Sequence, residues 1–213
     1  MDTLNVTPVI GLTGGAGSGK SHIAEILHNV CNVCHINTDR ISEAQMKRGG
    51  CVYQPVRNYF GDAFLTAEGE IDRKKLGEYI FQRPDELGVL NSITHPPVKE
   101  EVERRINQAK QEKKDVILLE TALLFEAGYE AICDEIWYVY AKREVRRQRL
   151  MQTRMYTDER VRDMFRRQHT DRFFRMHADY VVENNDSDNA ELGMRLQRRL
   201  KQVRKYNQLS KER

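Results

Sequence analysis

The chain has 213 residues, of which 39% are hydrophobic and 31% are charged, and its net charge is +3. This length accommodates one α/β core with small appended subdomains, and the charge is too small to indicate nucleic-acid binding by itself. No apolar run approaches the roughly 20 residues of a membrane-spanning helix, and no secretory signal pattern opens the sequence. We therefore expect a cytoplasmic protein without a membrane partner. The sequence does not indicate its oligomeric state.

Strands and helices alternate along the chain. Short apolar runs rich in β-branched residues predict five strands, at residues 6–13, 33–36, 116–119, 135–140 and 180–182. Helical spacing predicts helices at 20–30, 39–48 and 189–206, a basic helical stretch at 142–175, and a mostly helical middle at 53–114 that is interrupted at Pro96 and Pro97. This order predicts an α/β fold, in which a parallel sheet of about five strands is flanked by helices.

A glycine-rich loop joins the first predicted strand to the first predicted helix. It fits the pattern G-x-x-x-x-G-K-[ST] and reads Gly14-Gly15-Ala16-Gly17-Ser18-Gly19-Lys20-Ser21. Glycines let consecutive backbone N–H groups point at a phosphate, and the N-terminus of the following helix adds positive potential. Lys20 can reach the outer phosphates of ATP, and the Ser21 hydroxyl can bind Mg²⁺. The motif and its position predict an ATP-binding P-loop in a P-loop NTPase-type core.

Acidic residues are expected near this loop, at the same edge of the sheet. Asp39 follows the second predicted strand, where it could accept the proton of an attacking hydroxyl or, equally well on spacing alone, cap the next helix. Glu120 ends the third predicted strand, where it could serve a Mg²⁺ site or be an ordinary strand-end acid. Glu126 follows Leu123-Leu124-Phe125 and could contact a substrate or begin a turn.

Arginines crowd residues 142–175, and two interpretations of them compete. Arginine forms planar, bidentate contacts with phosphate, so a few of these residues could belong to a lid that closes over the nucleotide. The alternative is a solvated helical face or an RNA-contacting patch. Acidic residues are interspersed among the arginines and aromatic residues are not regularly interleaved, which favours ion pairs on helix surfaces. We therefore expect no nucleic-acid partner.

The cysteine pattern gives little support for metal or redox chemistry. Cys31 and Cys34 form a C-x-x-C pair, but no second pair of ligands follows at the spacing of a zinc motif. We expect buried thiols in a reducing compartment.

The ordered motifs resemble the dephospho-coenzyme A kinase family over nearly the whole chain. The similarity begins with the P-loop and continues with Asp39, Phe60-Gly61 and Ile71-Asp72-Arg73. Further along the chain it includes Thr94-His95-Pro96, Leu123-Leu124-Phe125-Glu126, Arg149 with Arg154, Gln168, Ala178-Asp179-Tyr180-Val181 and Asn184. The P-loop is common to many proteins, whereas this ordered set is more specific to the family.

The resemblance implies ATP-dependent phosphorylation of the ribose 3′-hydroxyl of dephospho-coenzyme A (dephospho-CoA), with Mg²⁺, to give coenzyme A. It also implies three parts: a nucleotide-binding core at 1–52, 115–141 and 176–213, a helical substrate subdomain at 53–114, and a lid at 142–175. The implied partner is thus the small molecule dephospho-CoA.

The resemblance also implies roles for single residues. Asp39 matches the family's proposed catalytic base, and Lys20 and Arg149 join it as catalytic residues. His22, Arg149 and Arg154 add to the P-loop in binding ATP, while Ser21 and Glu120 serve the metal. The implied substrate-binding residues are Asp39, Arg73, His95, Leu123, Phe125 and Glu126.

Several positions depart from the family's pattern. Asn37-Thr38-Asp39 replaces Asp-Ala-Asp, Glu43 replaces a basic residue, and Ala122 replaces the proline before Leu-Leu-Phe-Glu. These changes leave the P-loop intact and affect the acceptor contacts more than the ATP contacts. Two alternatives therefore stay open: a P-loop kinase of another small acceptor such as a nucleoside, and a non-catalytic nucleotide-binding regulator.

Overall fold

The computed structural model describes residues 7–81, 83–185 and 188–211. The chain divides into two compact units. Unit 1 is formed by the chain up to Ile36 and from Ile106 onward, and unit 2 is formed by Asn37–Arg105. Within the described ranges, no helix is both long enough and apolar enough to cross a membrane.

A five-stranded parallel sheet forms the centre of unit 1 and confirms the predicted fold class. Its strands are β1 Val9–Thr13, β2 Val33–Asn37, β3 Val116–Glu120, β4 Glu135–Tyr140 and β5 Tyr180–Glu183, in the order β2-β3-β1-β4-β5. Residue 6, which the predicted first strand included, lies outside the described residues. Every residue of β1 and β3 is buried, as expected for strands that are covered by helices on both faces.

Nine α-helices are described in these ranges. They are α1 Lys20–His28, α2 Thr38–Met46, α3 Tyr53–Phe60, α4 Arg73–Ile80, α5 Pro84–Gln111, α6 Arg143–Arg154, α7 Asp158–Arg167, α8 Asp171–His177 and α9 Asn189–Lys211. The basic stretch that follows β4 is thus three helices, α6 to α8. Short 3₁₀ turns lie at Asp62–Phe64 and Tyr129–Ile132.

The main core of unit 1 lies between the sheet and the helices α1 and α9. Ile10 and Leu12 of β1 and Trp137 of β4 are fully buried, and Leu27 of α1 and Leu196 of α9 cover them. The register of the parallel strands places Leu12 opposite Glu120 on one side and opposite Trp137 on the other. The carboxyl ends of β1 and β3 therefore meet at one edge of the sheet, where the P-loop begins.

Unit 2 is helical and has a separate small core, to which Met46, Val56, Ile71 and Leu76 belong. The predicted interruption of its longest helix at Pro96 and Pro97 is wrong, because α5 runs continuously through both prolines. A proline inside a helix costs about 3 kcal/mol. Burial of Val98 and Val102 in the following turns offsets this cost, so packing overrides the local preference of the prolines.

Candidate active site

The P-loop lies between the end of β1 and the start of α1, as the sequence predicted. Gly14, Gly17 and Gly19 have φ angles of 145°, 77° and 91°, a region that favours glycine. A hydrogen bond of 3.1 Å from the Ser18 N–H to the Gly15 carbonyl closes a turn within the loop. The backbone therefore curls tightly before it enters the helix.

The N-terminus of α1 is suited to an anion. Lys20 is the first residue of the helix, and the first turn contains no acidic residue that would neutralise its positive end. The Lys20 ammonium donates a hydrogen bond of 2.8 Å to the carbonyl of Gly14, so its side chain folds back over the loop. These features place a cation and the N–H groups of the first helical turn where phosphates bind in P-loops.

Glu120 is held by two partners at the edge of the sheet. The Ser21 hydroxyl donates a 2.7 Å hydrogen bond to one carboxylate oxygen, and His35 Nε2 lies 2.7 Å from the other. Because a carboxylate only accepts, the imidazole donates in the second bond. Burial acts to raise the pKa of Glu120, but the hydrogen bonds from His35 and Ser21 and the charge of Lys20 outweigh it and keep this pKa below its ordinary value.

This arrangement fits a magnesium ion. The Ser21 hydroxyl and the Glu120 carboxylate are oxygen ligands of the kind that Mg²⁺ prefers. Within residues 7–81, 83–185 and 188–211, no three or more His, Cys, Asp and Glu side chains cluster as a possible metal site. An ion at this place would therefore take most of its ligands from water and from the phosphates of a nucleotide, as Mg²⁺ does in other phosphoryl-transfer sites.

Arg146 and Gln168 hold the backbone of the P-loop at Ala16. The Arg146 Nε–H donates a 2.9 Å hydrogen bond to the Ala16 carbonyl, and the Ala16 N–H donates a 3.1 Å hydrogen bond to Gln168 Oε1. A third bond of 2.7 Å runs from Arg146 to Gln168. Both polar backbone groups of Ala16 are thus engaged by protein. Sequence reasoning missed Arg146, and it included Gln168 only as part of the family pattern.

Arg149 contacts backbone carbonyls behind the P-loop. Its guanidinium donates hydrogen bonds of 3.0 Å and 2.9 Å to the carbonyls of Asn184 and Asn185, and it lies 3.4 Å from the Ser18 carbonyl. The buried Asn184 side chain also donates to the Ser18 carbonyl, at 2.8 Å. Arg154, the other arginine predicted to bind ATP, is exposed at the end of α6.

A pocket of about 270 Å³ opens beside the P-loop within unit 1. Gly14, Gly15, Leu123 and Glu126 line it together with Gln168. The structure thus brings part of the predicted acceptor segment to the loop.

Two of the side chains that line this pocket are paired, and an aromatic cluster lies beside it. Glu126 pairs with His169 at 3.1 Å. Phe125 packs edge-to-face on Phe173, at 5.2 Å between ring centroids, and is itself only partly exposed. His22, which was predicted to bind ATP, places its ring 3.0 Å from the side chain of Asn189 at the protein surface.

The remaining predicted residues lie in unit 2. Asp39 is exposed in the first turn of α2, and the cap of that helix is Asn37, whose side chain accepts a 3.0 Å hydrogen bond from the Arg40 N–H. The alternative that Asp39 caps the helix is therefore wrong, and its carboxylate is left available. Arg73 pairs with Glu43 at 3.3 Å, and His95 is half-buried on α5.

Comparison with known proteins settles the family. Residues 8–190 match the dephospho-CoA kinase family. The chain belongs to this family. Dephospho-CoA kinase of Carboxydothermus hydrogenoformans is 39% identical over 182 residues, which cover 85% of this chain and 88% of that protein. Dephospho-CoA kinase of Corynebacterium diphtheriae is 38% identical, with coverage of 84% and 89%.

Solved structures agree with this dephospho-CoA kinase assignment at the level of fold. A crystal structure of a Thermus thermophilus protein superposes with a TM-score of 0.78 and 26% identity, covering 91% of this chain and 96% of that one. Dephospho-CoA kinase from Campylobacter jejuni gives 0.68 with 23% identity, covering 95% and 100%. Shikimate kinase from Acinetobacter baumannii gives 0.53 with 16% identity and covers 91% and 92%, so the fold is shared with other kinases.

Proposed function

We propose that this chain transfers the γ-phosphate of ATP to the ribose 3′-hydroxyl of dephospho-CoA. The observation that carries the proposal is the P-loop with Lys20 and Ser21 beside the buried Glu120, in a chain that belongs to the dephospho-CoA kinase family. The loop supplies the donor side of the reaction, and family membership supplies the identity of the acceptor.

On the donor side, the loop and α1 bind the phosphates of ATP. Backbone N–H groups of residues 17–21 and the ammonium of Lys20 neutralise charge on the phosphates, and this charge spreads over the oxygens of the transferred group during reaction. Ser21 and Glu120 would hold Mg²⁺, which supplies further charge neutralisation when it is bound. Arg149 supports the same loop from behind through the Ser18 carbonyl.

On the acceptor side, Asp39 orients the ribose hydroxyl and accepts its proton. Its exposed position in the first turn of α2 supports this role, because no capping bond occupies the carboxylate. The other residues that we propose to contact dephospho-CoA are Leu123, Phe125, Glu126, Arg73 and His95, and the helical subdomain at 53–114 is the proposed substrate subdomain. Helices α6 to α8 act as the lid, where Arg154 is exposed and available to reach ATP.

An assay of ADP release tests this proposal directly. We expect ADP release that depends on dephospho-CoA and exceeds release with any member of a nucleoside panel. Asp39→Asn should lower kcat at least a hundredfold, because a general base contributes about 10²–10⁴-fold. Asp85→Asn is the matched control, since Asp85 is another exposed acid in the first turn of a helix. A rate of ADP release that is the same with and without an acceptor would refute the kinase assignment. A higher rate with a nucleoside than with dephospho-CoA would show that the acceptor is the nucleoside.

Cytoplasmic location and the absence of nucleic-acid partners belong to the same proposal. Many arginines of the basic stretch pair with acids on the helix surface, as Arg162 does with Asp158 and Arg166 with Asp163. Such pairs favour a solvated face over a phosphate-binding stripe. The expectation of buried thiols is wrong, because Cys51 is exposed and Cys31, Cys34 and Cys133 are partly exposed. All four are free thiols, which is typical of a reducing compartment.

A further inference from the structure

Arg146 differs from most arginines of the basic stretch in its surroundings. Only 11% of its side chain is exposed, whereas 50% of the neighbouring Arg147 side chain is exposed. Its guanidinium lies 4.5 Å from the centre of the Phe165 ring and 4.0 Å from Asp171. Removing a charged group from water costs free energy unless hydrogen bonds and opposite charges compensate it. The partners of Arg146 therefore indicate what it does.

The partners of Arg146 are the backbone of the P-loop and Gln168. Three hydrogen bonds link Arg146, Ala16 and Gln168 in a closed triangle, which engages both the N–H and the C=O of Ala16. Ala16 lies in the part of the loop that precedes α1, where helical hydrogen bonds do not yet fix the backbone. The triangle therefore supplies the constraint that the helix cannot supply there.

The glycine at position 15 supports this interpretation independently. Gly15 is not among the glycines with positive φ, so its backbone conformation does not require glycine. A Cβ at this position would instead overlap the guanidinium of Arg146 and lie 2.7 Å from Gln168 Oε1. Similarly, a Cβ at Gly17 would lie 2.6 Å from the backbone carbonyl of Arg146. The absence of side chains at Gly15 and Gly17 thus allows α6 to pack against the loop.

We propose that Arg146 is a positioning residue that acts with Gln168 to hold the first half of the P-loop in its ATP-binding shape. It acts through the backbone of Ala16 and does not itself bind the transferred phosphate. Arginine is required because Nε and a terminal nitrogen donate to two different acceptors at once, which a lysine ammonium cannot do in this planar geometry. The inference rests on the proposed ATP site, but not on the identity of the acceptor.

Direct measurement of ATP binding, without any acceptor, tests the inference. We expect Arg146→Ala to weaken the Kd for ATP about tenfold, because it removes charge-assisted hydrogen bonds that order the loop. The KM for ATP should rise by a similar factor, while the KM for dephospho-CoA stays within about twofold. Arg147→Ala, which removes an exposed arginine paired with Asp158, is the matched control and should leave the ATP Kd unchanged.

Further variants distinguish a positioning role from direct contact with the phosphate and from a general loss of charge. Gln168→Ala keeps every charge but removes the acceptor for the Ala16 N–H, so it should also weaken ATP binding. Arg146→Lys should restore only part of the loss.

A normal ATP Kd with a large fall in kcat for Arg146→Ala would overturn the inference, because Arg146 would then act on the phosphate during transfer. Equal effects of Arg146→Ala and Arg147→Ala would overturn it as well. The inference and the proposed acceptor can fail separately. If wild-type ADP release does not depend on dephospho-CoA but Arg146→Ala still weakens ATP binding, the acceptor assignment is contradicted and the inference is supported.

Discussion

Replacing His35 by alanine tests how the buried carboxylate of Glu120, beside the P-loop, is kept ionised. Glu120 is almost fully buried, with 6% of its side chain exposed, and its oxygens are held by His35 and Ser21. His35→Ala removes the donor to one oxygen and leaves the Ser21 hydroxyl as the donor to the other. The carboxylate must then stay partly unsatisfied, take up a proton, or move.

The expected loss follows from the hydrogen bond that is removed. A hydrogen bond to a charged group contributes about 1.5–3 kcal/mol to the free energy of unfolding. For a protein of this size, each kcal/mol shifts Tm by about 2–4 °C. We therefore expect His35→Ala to lower Tm by roughly 3–12 °C at pH 7 in the absence of nucleotide and metal. His35→Gln keeps an N–H donor at a similar reach and should recover part of this loss.

The pH dependence has a defined sign. Because the pKa of Glu120 in the folded protein lies below its ordinary value, its stabilisation is present at neutral pH and is lost as pH falls through the folded pKa. In His35→Ala, the hydrogen bond that lowers the pKa of Glu120 is lost while burial still raises it, so this pKa should rise. The Tm difference between wild type and variant should therefore be largest near pH 7 and narrow as the pH approaches about 4.

Thermal unfolding with a matched histidine control makes the result decisive. His28 is exposed at the end of α1, so His28→Ala should leave Tm nearly unchanged. A Tm shift for His35→Ala that matches His28→Ala would refute the reasoning, since Glu120 would then not depend on His35. A shift that stays constant from pH 7 to about pH 4 would show that packing, and not the carboxylate, carries the effect.

Two further predictions concern the P-loop. Lys20→Ala should abolish ATP turnover in the ADP-release assay, while circular dichroism and Tm show an intact fold. The reason is that the Lys20 ammonium folds over the loop, 2.8 Å from the Gly14 carbonyl, where it can neutralise phosphate charge. An unchanged rate of ADP release would contradict this role. Gly19→Ala should lose most ATP binding, because the φ of 91° at Gly19 disfavours a side chain and a Cβ there would overlap the buried Asn184 amide. Near-normal ATP affinity in an equilibrium titration would contradict the close approach of Gly19 to Asn184.

Local patterns in the sequence were sufficient to predict the fold and the P-loop. The strands β1 and β3 are continuous apolar runs, and their parallel pairing follows from the helices that separate them along the chain. Gly14 to Ser21 has a fixed spacing because each position has a separate backbone or side-chain task. Glu120 was predictable at the same edge, since the carboxyl ends of parallel strands meet there.

Contacts between distant segments could not be predicted in this way. His35 lies inside a strand, and nothing in its neighbours indicates that it faces Glu120, 85 positions further along. Arg146 looks like any other arginine of the basic stretch until α6 is packed against Ala16. Pro96 and Pro97 predicted a break because the local cost of proline was visible in the sequence, whereas the burial of Val98 and Val102 was not.

Two departures from the family pattern, Asn37 and Glu43, lie at the start of α2 and within it. Asn37 caps α2, so it has a structural task that does not involve ATP. Glu43 replaces a basic residue and pairs with Arg73, which reduces the positive charge that unit 2 can present to an anionic acceptor. Both side chains are about half exposed, and such pairs contribute less than about 1 kcal/mol. An anionic group of the acceptor can therefore displace Glu43 from Arg73 at little cost, so this departure predicts only a small loss of acceptor affinity and leaves the proposed chemical step at Asp39 intact.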